Sequence, residues 1–216
     1  VSMGIFRLVY PMGGRGYTPM AGSGGGAASP VLILDQFTGT DSTALSAHTI
    51  APTNTPAASW LAVSGVGECI ILSNRASGGL AGGDFANVLN AGVANVTITF
   101  DFRVPTGQDY LEAWCRYLDI DNMLIFRIFV SIDTLVIYRK EAGAFNELVN
   151  VPCAMNLDTT YTASITLNGT ALSLTVNGVT ADTTSSFQQT QTKHGFHINS
   201  AGGGSPWIDN YQIATA

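Results

Sequence analysis

Carboxylates carry most of the acid–base chemistry in proteins, and this chain has few of them in useful arrangements. Of its 15 acids only four are glutamates: Glu68, Glu112, Glu141 and Glu147. The densest run of side-chain oxygens is Asp119-Ile120-Asp121-Asn122. Calcium prefers oxygen ligands presented by a loop, so Asp119, Asp121 and Asn122 form a candidate calcium site. The competing reading is an Asx-rich turn whose side chains bond their own backbone. Asp109 and Glu112, three apart, fall on opposite faces of one strand and make a poor acid pair. Cys69, Cys115 and Cys153 are odd in number and sit among apolar neighbours, which reads as buried free thiols. No zinc-like Cys/His spacing occurs, and there is no Gly-x-Ser-x-Gly nucleophile elbow. Asp35 and Asp209 lie near the ends of the β-rich region, where one of them is expected to satisfy buried backbone amides.

Binding chemistry is better supported. In a strand over 111–118, Glu112, Trp114 and Arg116 share one face, and Leu111, Ala113, Cys115 and Tyr117 share the other. A hairpin turning at Ile120-Asp121 brings Trp114 near Arg127, and a further turn at Ser131-Ile132 brings Tyr138 to the same place. Glu112, Trp114, Arg116, Arg127 and Tyr138 then form a mixed aromatic and charged patch across three strands. Such a platform suits a sugar ring, whose C–H face stacks while planar polar groups read its hydroxyls. Two readings stand: a carbohydrate-binding patch, or an internally paired Glu–Arg cluster with Trp114 in the core. A one-residue slip of register would scatter the set.

The elements that must position these residues are strands. Short runs rich in Val, Ile, Thr and aromatics, bounded by Gly, Asn, Asp and Pro, recur from Val31 onward. They fall at 31–37, 58–64, 67–74, 95–104, 111–119, 122–130, 133–140, 145–151, 160–168, 171–177, 193–199 and 206–213. No segment keeps a 3.6-residue period over a dozen positions, so almost no helix is predicted. Asn168-Gly169 and Asn177-Gly178 are hairpin signals, because both residue types tolerate positive φ. A dozen antiparallel strands must stack as two sheets or close on themselves to bury one face each.

Composition sets the outer limits. Of 216 residues 46% are hydrophobic and only 11% charged, against roughly 25% charged in ordinary soluble domains. Lys140 and Lys193 are the only lysines, and the formal net charge is −6. That balance argues against a duplex nucleic-acid binder, which needs a clustered basic face. No apolar run approaches the roughly 18 residues of a membrane span. The segment Ile5–Tyr10 is too short and too charged for a signal peptide. Residues 1–30 are glycine-rich yet carry Phe6, Leu8, Tyr10, Met12, Tyr17 and Met20. They read as an extended arm and linker whose apolar side chains dock on other protein subunits, or as a plain disordered tail. Residues 31–216 are the sandwich domain.

The order of segments in this domain resembles a known pattern. Asp35-Gln36-Phe37, Trp60-Leu61-Ala62-Val63 and Val96–Phe102 come first, then Arg116–Ile128 and Tyr161–Val179, with Trp207-Ile208-Asp209-Asn210-Tyr211-Gln212-Ile213 last. The series is similar to the concanavalin A-like lectin/glucanase superfamily, in its laminin-G-like branch. The resemblance covers about residues 31–214 and implies an all-β, two-sheet antiparallel jelly-roll sandwich. Such sandwiches host lectins, hydrolases, adhesion modules and virion parts. Retaining glucanases of this superfamily carry Glu-x-Asp-x-x-Glu on one strand; none of the four glutamates here lies in that setting. Calcium is the cofactor the resemblance suggests, and none other is expected.

Three functions follow, in this order. The first is a non-enzymatic virion component of a tailed bacteriophage (capsid decoration, head fibre or tail fibre), docked through its arm and oligomeric. The second is a carbohydrate-binding module or bacterial surface lectin, binding surface glycans. A glycoside hydrolase ranks last. The corresponding locations are the virion, or a secreted or cell-surface setting.

Overall fold

The computed structural model describes residues 30–50, 58–79, 82–200 and 204–216. The proposed arm residues Phe6, Leu8, Tyr10, Met12, Tyr17 and Met20 lie outside them. The described chain is an all-β sandwich whose one helical element is a 3-10 turn, Leu45–Ala47. Its strands are β1 (Val31–Asp35), β2 (Leu61–Ala62), β3 (Ile70–Ile71), β4 (Ala76–Ser77), β5 (Gly83–Asn90), β6 (Val96–Arg103), β7 (Tyr110–Asp119) and β8 (Asn122–Phe129). They continue with β9 (Thr134–Glu141), β10 (Ala144–Pro152), β11 (Thr160–Asn168), β12 (Ala171–Val176), β13 (Val179–Thr184), β14 (Lys193–Ser200) and β15 (Trp207–Thr215). One sheet has eight strands in the order β13-β12-β11-β6-β15-β4-β3, with β1 also pairing β15. The other has seven, in the order β10-β9-β8-β7-β14-β5-β2. Every ladder between named strands is antiparallel. This is the jelly-roll sandwich expected from the sequence.

Alternation builds the core between the sheets. Val96, Ile98, Phe100 and Phe102 of β6 point inward, as do Leu111, Ala113 and Cys115 of β7 and Leu124, Phe126 and Ile128 of β8. Trp60 packs edge-on against Phe196 and Tyr211 at ring separations of 5.0 and 5.2 Å. Asp35 anchors this aromatic centre. Its carboxylate accepts from Phe37 N (2.8 Å), His48 Nε2 (2.9 Å) and Trp60 Nε1 (2.7 Å). The structural duty expected of Asp35 is therefore met, and it includes one buried backbone amide. All three cysteines are buried and free.

The structure corrects several boundaries. Strands β5 and β13 were not expected, because Gly83-Asp84-Phe85-Ala86-Asn87 and Val179-Thr180-Ala181-Asp182 are poor in β-branched residues or carry turn formers. Pairing overrides propensity there: β5 lies between β14 and β2, and β13 pairs with β12 at the sheet edge. Conversely, 58–64 and 67–74 shrink to two-residue strands. Asn177 and Gly178 both take positive φ, as a type I′ turn requires. Asn168 instead pairs with Ala171, so Gly169 and Thr170 form the other loop.

Candidate functional site

The site lies on the outer face of the seven-stranded sheet, turned away from the main core. Register places it: on β7, Glu112 is flanked by Arg127 of β8 and by His197 of β14. Trp114 lies opposite Ile125, and Ile125 opposite Tyr138 of β9. Val63, Ala86, Val88, Trp114, Met123 and Ile125 make a second, smaller apolar cluster on this face. Beside it opens a recess of about 270 Å³. Glu112, Trp114, Ile125 and His197 contribute to it, together with Tyr110, Arg127, Lys140, Phe145 and Asp84.

Four of the five patch residues expected from the sequence converge here: Glu112, Trp114, Arg127 and Tyr138. Arg116 does not, and this corrects the expected patch. The β7–β8 register shifts between Cys115 and Asp119, and Arg116 sits at that bulge with φ +48°. A bulge inserts one residue and re-aims the side chains that follow. The Arg116 guanidinium is buried and reaches the opposite sheet, donating through Nη2 to Gly169 O (2.7 Å) and Asn95 Oδ1 (3.4 Å). Tyr117 takes the expected place of Arg116, its ring 6.0 Å from Trp114 and nearly parallel to it. His197 stacks on Trp114 at 5.1 Å, and Tyr110 on His197 at 6.4 Å. Trp114 is thus a member of a ring stack and only 4% exposed. The ring most open to a ligand is Phe145, at 51%.

Glu112 is the electrostatic centre. It accepts from Trp114 Nε1 (2.7 Å) and from both Nε and Nη2 of Arg127. His197 Nδ1 stands 3.2 Å from its other side, and His197 Nε2 lies 3.2 Å from Asp84. Burial alone would raise the Glu112 carboxyl, but the adjacent His197 ring and the Arg127 and Trp114 donors outweigh it and hold the group at about 2. It is an ionised acceptor with committed lone pairs, unsuited to donating a proton. Arg127 is also ringed by aromatics, with its Cζ 4.5 Å from the Tyr110 centroid, 5.1 Å from Tyr138 and 5.6 Å from Phe145. Burial, chiefly, pushes the Tyr110 phenol up to about 12, so it stays a neutral donor.

The candidate calcium residues sit at the two-residue β7–β8 turn: Asp121 lies in it, and Asp119 and Asn122 pair across its base. Asp119 Oδ1 accepts from Asp121 N (2.9 Å) and Asn122 Nδ2 (2.8 Å), and Asn122 Oδ1 accepts from Ala142 N (3.1 Å). Lys140 Nζ stands 4.0 Å from Asp121. Asp119 Oδ1 and Asn122 Oδ1 are thus committed to donors, and the bond from Asp121 N to Asp119 is that of an Asx turn. Among the described residues no group of three or more His, Cys, Asp or Glu side chains is placed to hold a metal.

Sequence reasoning missed His197, Asp84, Tyr110, Lys140 and Phe145. His197 lies in an expected strand, and its alternation with Phe196 and Ile198 was the available signal for its outward face. Asp84 was hidden because β5 was not recognised.

Fold and recess together define the class: an antiparallel jelly-roll sandwich with an aromatic and charged recess on one sheet. The fold is similar to that of the carbohydrate-binding module CBM66 from Bacillus subtilis (TM-score 0.58, 13% identity, spanning 72% of this chain and 95% of that one). It is also similar to the exoplasmic/lumenal domain of VIP36 in its Ca2+/Man2-bound form (TM-score 0.55, 10% identity, 82% of this chain and 87% of that one). No protein-family model and no curated sequence matches the chain. Among the described residues no helix is long and apolar enough to cross a membrane.

Proposed function

We infer that this protein is a non-catalytic carbohydrate-binding module and that its ligand, a neutral sugar, seats in the outer-face recess. The carrying observation is the convergence of an exposed ring, Phe145, with fixed polar groups from four neighbouring strands. Phe145 and Tyr110 offer ring surface for sugar C–H groups. Arg127, His197 and Asp84, held in place by the Glu112 network, offer donors and acceptors, and Lys140 adds an ammonium beside Phe145. Cations and carboxylates in the recess offset one another, which favours an uncharged ligand. The virion reading rests on composition and on an arm outside the described residues, whereas the recess speaks for glycan binding.

The test uses a glycan array with the whole chain. Trp114→Ala is a poor probe, since Trp114 is buried. Phe145→Ala and Asp84→Asn change exposed groups and leave the core intact. Retention of a neutral glycan, lost or weakened at least about ten-fold in Phe145→Ala, is expected. Absence of any neutral glycan hit, or full retention by both variants, contradicts the reading.

A further inference from the structure

Alternation along β9 sends Tyr138 and Lys140 toward the recess and Arg139 to the other side, where β13 packs against β9 and β10. There Arg139, Leu148 of β10, Thr170 of the β11–β12 turn, and Ser185, Ser186 and Phe187 beyond β13 line an open groove of about 510 Å³. It shares no lining residue with the recess. The groove is pinned by its own backbone: Ser185 N donates to Thr170 O (2.8 Å), and Phe187 N donates to Ser185 Oγ (3.2 Å). Arg139 Cζ stands 5.7 Å from the Phe187 ring centroid. Its one ionic contact among the described residues is to Glu141 Oε2, 3.2 Å from Nη2, with both side chains well exposed. Its Nε is shielded from solvent and has no hydrogen-bond partner.

Arg139 is the one charged residue among those lining this groove, and a carboxylate is the planar group that matches a guanidinium with two parallel bonds. We propose that this groove is a second binding site, for a sugar unit bearing a carboxylate, that is, a uronic acid. The carboxylate pairs with the exposed end of the Arg139 side chain. Leu148 and Phe187 contact the C–H surface of the ring, and Thr170 and Ser186 present hydroxyls to its hydroxyl groups. A groove of this size accommodates a sugar ring rather than only a small ion. Glu141 competes for the same guanidinium, so its charge limits the affinity.

Calorimetric titration of the whole chain with trigalacturonate tests the assignment, with maltotriose and acetate as the neutral-sugar and bare-carboxylate controls. Trigalacturonate is expected to bind at least about ten-fold more tightly than either control. Arg139→Gln should weaken it by about ten-fold or more, and Glu141→Gln should strengthen it several-fold. Thermal melts of both variants verify folding, and the opposite signs of the two effects separate recognition from general damage. The proposal is overturned if trigalacturonate does not bind, if acetate binds as well as trigalacturonate, or if neither variant changes the affinity.

Discussion

Two buried ionisable residues set the acid response of this protein. His194 is fully buried; its Nδ1 faces Arg116 N (3.4 Å) and its Nε2 faces Val93 O (3.2 Å), the pattern of a neutral imidazole. Burial, with the Arg116 charge adding to it, holds the ring at about 4 against an ordinary 6.5. The unfolded chain therefore takes up this proton first, and stability falls as pH drops from about 6.5 to 4, by roughly 3 kcal/mol at most. Urea midpoints at pH 7 and pH 4.5 should show that loss in the wild type and a smaller one in His194→Gln. Glu112 acts lower on the scale. Its folded value of about 2 lies below the ordinary 4.5, so its contribution is complete above about pH 4.5 and is lost as pH falls through 2. Arg127→Ala removes a principal partner of this buried carboxylate and should cost about 3 kcal/mol in denaturant titrations at pH 7.

At the scale of elements, the recess depends on close pairing of β14 with β5, which brings His197 and Asp84 together. Gly195 makes that pairing possible: a Cβ there would lie 2.0 Å from Asn87 O and 2.7 Å from Val88 Cα. Gly195→Ala must push the strands apart, with an expected cost of about 3 kcal/mol or more and loss of any glycan binding, seen in thermal melts and titrations. The β7 bulge shows why the site was only partly legible. Strict alternation placed Glu112 and Trp114 correctly, and the Ile120-Asp121 turn fixed their partners on β8. The positive φ at Arg116 broke the alternation, exchanging Arg116 for Tyr117, and nothing in Cys115-Arg116-Tyr117 announces it. Long-range pairing was equally hidden: β14 reaches β7 across some eighty residues, and only the folded sheet relates His197 to Glu112.

For the molecule as a whole, the sandwich was legible because the eight-stranded sheet follows period-two burial over long runs, as in β6 and β11. The end strands tie the domain shut. β1 pairs with β15 from Val31 to Asp35, and Thr215 N donates to Pro30 O. Removal of residues 1–29 spares these bonds, so the truncated chain should keep the cooperative melt of the full one. An unchanged melting temperature in scanning calorimetry is the expected outcome; a fall of several degrees would mean that the segment contributes to the domain's stability.

The central claim, that the outer-face recess of the seven-stranded sheet receives a neutral sugar, is tested most directly by NMR chemical-shift mapping. The whole chain would be titrated with the strongest neutral glycan from the array. The largest shifts are predicted at Tyr110, Arg127, Phe145 and His197. Shifts confined to the eight-stranded sheet, or none at saturating glycan, would contradict it.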